Sequence, residues 1–118
     1  MVLYLKMNEK AWAYGDYTDS ASFDLSGTVY SDDKLSSTVN ISSYTPTLYF
    51  IDYEGNRVYS TTTGITVSAG SGVFSILFSQ SNTPVLQGYY RVRLLLESTG
   101  NRLTCVGVNG SDDMFFDL

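Results

Sequence analysis

Apolar and polar residues alternate with a period of two along most of this chain, the spacing that places one face of a β-strand against a core and the other toward solvent. The clearest run is Tyr89 to Glu97, where Tyr90, Val92, Leu94 and Leu96 point one way and Tyr89, Arg91, Arg93 and Glu97 the other. The same alternation predicts strands around Leu3, Leu5 and Met7, around Phe23 and Leu25, and around Leu48 and Phe50. It recurs at Ile65 and Val67, at Phe74, Ile76 and Phe78, through Leu103 to Val108, and at the inward positions Met114, Phe116 and Leu118.

Small and polar residues punctuate these runs. Gly55, within Tyr53-Glu54-Gly55-Asn56, supplies the positive φ of a tight hairpin loop between two extended segments. Pro46 has no amide donor and belongs at a strand entrance or on an edge. Ser79 to Gln87, with Pro84, reads as a connection whose Val85 and Leu86 plug the open end of the core. Met7 to Tyr14 holds a few helix formers, yet Gly15-Asp16 cuts it off and no helical apolar stripe runs through it.

Together the runs predict about seven to nine strands joined by short turns. Such spacing points to an all-β, immunoglobulin-like antiparallel sandwich, with a small up-and-down barrel as the runner-up, since a parallel sheet requires helical crossovers. Residues 1–18 are expected to form an N-terminal strand or docking arm ahead of the sandwich at 19–118. An arm would carry Leu3, Leu5 and Trp12 to a neighbouring subunit, because an uncovered apolar strand edge invites pairing with another chain.

A length of 118 residues fits one domain that buries about two-thirds of its unfolded surface. The sole cysteine, Cys105, cannot form an intramolecular disulfide and reads as a small buried hydrophobe. Seven basic against 12 acidic residues give a net charge of −5, which argues against nucleic-acid binding, where Lys and Arg must neutralise phosphates. Apolar runs fall far short of the ~20 residues that span a bilayer, and Met1 to Leu5 is too short for a signal peptide. The chain is therefore expected to stay in the cytoplasm where it is made, or to leave inside a larger particle.

No histidine is present, which removes the serine and cysteine triads, imidazole zinc sites and the commonest general base. Acidic residues sit mostly in turns, at Asp16, Asp19, Asp32, Asp33, Asp112 and Asp113, where carboxylates cap backbone and keep loops hydrated. Their spacing matches no calcium-loop motif. Accordingly no catalytic residue, metal or cofactor is expected. Asn40-Ile41-Ser42 and Asn109-Gly110-Ser111 match the glycosylation pattern and, lacking a secretory signal, read as chance.

The outward positions are less polar than a solvated surface requires. With Leu48 and Phe50 inward, Tyr49, Ile51 and Tyr53 face out, as do Tyr89 and Leu95, and a contiguous band of such residues marks a protein interface. The candidate partner contacts are Leu3, Leu5, Trp12, Tyr14, Tyr49, Ile51, Tyr53 and Tyr89. A rival reading makes Trp12, Tyr14 and Tyr17 a flat aromatic platform for a sugar ring, as in a carbohydrate-binding module.

One resemblance sharpens this. Asn40-Ile41-Ser42-Ser43-Tyr44, Thr47-Leu48-Tyr49-Phe50, Tyr53-Glu54-Gly55-Asn56, Ile65-Thr66-Val67, Ser71-Gly72-Val73-Phe74-Ser75-Ile76 and Gly88-Tyr89-Tyr90-Arg91-Val92-Arg93-Leu94 follow one another in an order that resembles the immunoglobulin-like domain of tailed-phage upper-baseplate proteins. It spans Val39 to Phe116, with Asn40 and Ser43 standing where that family has aspartate and glycine. The resemblance implies a non-enzymatic virion component, such as a head decoration, neck or tail-associated adaptor, assembled in the host cytoplasm. Its implied partners are capsid, portal or tail proteins and copies of itself.

Overall fold

A computed structural model describes residues 2–9, 11–13, 22–62, 64–68, 70–79 and 87–117. The described residues form ten strands and no helix: β1 (Val2–Met7), β2 (Ala11–Ala13), β3 (Ser22–Tyr30), β4 (Thr45–Ile51), β5 (Arg57–Thr61), β6 (Ile65–Val67), β7 (Val73–Ser79), β8 (Gln87–Ser98), β9 (Asn101–Val106) and β10 (Asp113–Asp117). Hydrogen bonds link them in the order β2-β10-β8-β9-β1-β3-β7-β6, with β4 on the other edge of β8 and β5 beyond β4.

This continuous sheet curls into a half-barrel, so that its two halves face each other like the layers of a sandwich. The back layer is β1-β3-β7-β6 and the front layer is β9-β8-β4-β5, the strand arrangement of an immunoglobulin-like domain. Leu25, Val29, Phe74 and Ile76 from the back meet Leu48, Phe50, Val92, Leu94 and Leu96 from the front in one buried cluster. These are the inward positions of the alternating runs, so patterning determined which side of each strand became core.

Ten strands rather than about seven to nine arise because each end of the chain is divided in two. Leu94 faces Cys105 across β8 and β9, whereas Arg91 faces Asp113 across β8 and β10. Three steps back along β8 thus correspond to eight steps forward on its partner, and five residues loop out between β9 and β10. At the other end, β1 and β2 run alongside this divided strand.

Those end strands also make the sheet mixed. β1 pairs parallel with β9 (Val2 with Thr104, Tyr4 with Val106) and β2 parallel with β10 (Trp12 with Phe116). Parallel neighbours need a long connection, usually helical. Here nearly the whole domain is the connection, and no helical crossover is required.

β1 is the seam of the fold. One edge pairs antiparallel with β3 and the other parallel with β9, and Leu3, Leu5 and Met7 are each 1% exposed or less. The expectation that Leu3 and Leu5 meet a partner is corrected: with both edges of β1 occupied, they complete the chain's own core. Val85, Leu86, Tyr14, Tyr17 and Leu118 lie outside the described residues.

Candidate binding face

The outer surface of the front layer is built by the odd-numbered residues of β4, β8 and β10. Because Val92, Leu94 and Leu96 are fully buried, alternation sends Tyr89, Arg91, Arg93, Leu95 and Glu97 outward. Register then sets their neighbours: Thr47 lies beside Leu95, Tyr49 beside Arg93 and Ile51 beside Arg91. On the other edge of β8, Asp113 lies beside Arg91 and Phe115 beside Tyr89.

Arginines and aromatic rings pack together across this face. The Arg57 guanidinium covers the Tyr49 ring, 4.1 Å from its centroid, and the Arg91 guanidinium stands 5.1 Å from that of Tyr53. Such cation–π contacts hold a long side chain against the sheet while leaving its charge in place. Tyr49 is consequently only 7% exposed although it lies on the outer face. Tyr89 packs against Phe115 with ring centroids 4.9 Å apart. Among the described side chains the most exposed large apolar residues here are Tyr89 (59%) and Tyr53 (54%), with Val58 (44%) on the edge strand. Val58 is the residue left over where Phe50 faces Tyr59 and Ile51 faces Arg57, a bulge that bends β5.

Tyr53 is carried by the β4–β5 turn. The Asp52 carboxylate accepts hydrogen bonds from the Glu54 and Asn56 amides at 3.0 and 2.9 Å, and Gly55 takes a φ of 88°. This Asx-type turn fixes Tyr53 over β8 and β10. Desolvation raises the phenol pKa above its ordinary value, helped by its hydrogen bond to Asp113.

Beside the face, the loop between β9 and β10 ties the layers together. Asn109 and Gly110 both have positive φ, 54° and 79°, and Ser111 N–H donates to the Val108 carbonyl at 3.1 Å, which makes Asn-Gly the centre of a type I′ turn. The Ser111 hydroxyl accepts from the Val108 amide at 2.9 Å and donates to the Leu5 carbonyl at 2.7 Å. Asp112 turns inward, 6% exposed, and its carboxylate accepts from the Gly107 amide at 3.2 Å. A Cβ at position 107 would stand 2.0 Å from that carboxyl carbon, so only glycine fits. Desolvation raises the Asp112 pKa above the ordinary carboxylate range.

Of the expected contact residues, the face brings together Tyr49, Ile51, Tyr53 and Tyr89. Trp12 lies in β2, and Tyr14 lies outside the described residues. Sequence reasoning placed Arg91 and Arg93 outward and did not anticipate Arg57 over Tyr49, Phe115 against Tyr89, or the burial of Ser111 and Asp112. Asn109-Gly110 was the available signal for the last pair, since Asn-Gly flanked by extended segments is the strongest short hairpin mark.

A scan against protein-family models and a search of curated proteins find no match. Among solved structures, the chain is similar to the endo-beta-1,4-mannanase from Thermotoga petrophila at 8% sequence identity and a TM-score of 0.48, a likeness covering 97% of this chain and 19% of that one.

Proposed function

We propose that this chain is a non-enzymatic, immunoglobulin-like structural component of a tailed-phage particle, acting through protein–protein contacts made by the outer face of its front layer. The observation that carries the contact reading is the grouping of Tyr53, Tyr89, Phe115, Arg57, Arg91 and Arg93 on one side of β5, β4, β8 and β10. Tyrosine and arginine are the residues most enriched at the energetic centres of interfaces, and lysine is depleted there. The virion assignment rests on the resemblance to upper-baseplate domains.

The carboxylates near this face already have partners within the chain. Asp52 organises its turn, Asp112 holds the Gly107 amide and Asp113 meets the Tyr53 phenol. Their arrangement serves a rigid contact surface better than acid–base chemistry.

Mass spectrometry of purified particles tests the assignment. The chain is expected at a fixed ratio to capsid or tail subunits, and its gene among capsid, portal and tail genes. Absence from intact particles would overturn the reading.

A further inference from the structure

We infer that the front face docks an acidic segment, rich in Asp and Glu, of a partner protein. The inference deepens the proposed function, since it rests on that face being a protein interface. All four arginines of the sequence lie on the strands of the front layer, while the chain as a whole carries a net charge of −5. Arg102 is neutralised by Glu97 at 3.1 Å. Arg57, Arg91 and Arg93 form no salt bridge among the described residues, Asp113 being the register neighbour of Arg91 on β10.

These three cations are close neighbours. Arg91 and Arg93 are two residues apart on one strand, about 7 Å, and Arg57 sits over Tyr49, the residue directly beside Arg93. The Nε atoms of Arg91 and Arg93 are buried without an acceptor, so packing fixes the stems of both side chains before any partner arrives. A preorganised cationic cluster within one Debye length, about 8 Å, favours carboxylates over water even though the remainder of the chain is acidic. A phosphate polymer fits less well: its charge would extend across the acidic remainder of the chain, and the Tyr49 ring is covered by Arg57.

The probe is a fluorescein-labelled poly-glutamate peptide titrated with the full chain, with poly-lysine and a single-stranded oligonucleotide as comparisons. Saturable binding of poly-glutamate is expected, weakening as salt rises and falling at least about tenfold in the Arg91→Gln/Arg93→Gln double variant. Lys6→Gln, on the back layer, is expected to leave it unchanged. If the double variant fails to fold, Arg57→Gln on the exposed edge strand reads the same loss.

No binding of poly-glutamate by the folded chain, equal loss in Lys6→Gln, or tighter binding of the oligonucleotide would each overturn the inference. So would self-association abolished by the double variant, which would make a second copy the occupant. A chain present in particles that ignores poly-glutamate defeats this inference alone. A chain absent from particles that still binds through these arginines defeats only the virion reading.

Discussion

The Ser111 hydroxyl donates a 2.7 Å hydrogen bond to the Leu5 carbonyl, 106 positions earlier in the chain. Where the parallel pairing of β1 with β9 ends, Ser111 continues it, since its own carbonyl also accepts from the Met7 amide at 2.9 Å. One buried residue thus extends the seam past the point where the ladder stops.

Ser111→Ala is expected to lower stability by about 1–3 kcal/mol, because it leaves the Leu5 carbonyl and the Val108 amide without their partner in a buried site. Urea unfolding measures this. A change below about 0.5 kcal/mol would show that the seam does not depend on the hydroxyl.

Gly107→Ala drives a methyl into the Asp112 carboxyl group, and the strand cannot widen without breaking the β8 register on either side. A loss of about 1–3 kcal/mol follows from overpacking of this kind. Thermal unfolding of the variant beside the parent reads it.

Asp112 sets a pH dependence with a definite sign. Burial raises its pKa, so the folded chain holds this proton more tightly than the unfolded chain does. Its contribution to stability is therefore fullest below the ordinary carboxylate range and is lost as pH climbs through the raised value. Asp112→Asn keeps an acceptor for the Gly107 amide and removes the charge. The variant is expected to gain on the parent as pH rises from acid to neutral. Asp32, lowered by hydrogen bonds from the Ser36 hydroxyl and the Ser37 amide, runs the opposite way, and the comparison between variant and parent cancels it. Urea midpoints across a pH series provide the readout, and parallel curves for the two proteins would refute the assignment.

Cys105 is fully buried opposite Leu94, and desolvation pushes its thiol up to about 12. At mildly alkaline pH the folded chain is expected to resist maleimide or disulfide reagents, and labelling should follow the unfolding curve in denaturant. Rapid labelling of the native protein would contradict this burial.

Much of the fold was legible because alternation encodes burial directly. Val92, Leu94, Leu96, Leu48 and Phe50 are core for the reason their spacing indicates. Partner direction is a different matter: the apolar run of β1 looks the same whether it pairs parallel, antiparallel or with another subunit. Only the global path of the chain decides, and that path turned Leu3 and Leu5 inward. On the face itself, Tyr89 and Arg91 were readable from strand parity, whereas the pairing of Arg57 with Tyr49 depends on a bulge that no local pattern announces. Ser111 and Asp112 looked like wet loop residues because composition cannot show that a loop is wedged between two strands.

Because β1 runs beside β9 and β2 beside β10, each pair in the same direction, Val2 lies at one pole beside Thr104 and Ala13 at the opposite pole beside Asp117. Polypeptide fused ahead of Val2 and polypeptide fused after Asp117 would depart in opposite senses along the long dimension of the strands. Copies joined in tandem would string out like beads on a thread, each transmitting tension through the shear-loaded ladder of its neighbouring end strands rather than by peeling a hairpin open.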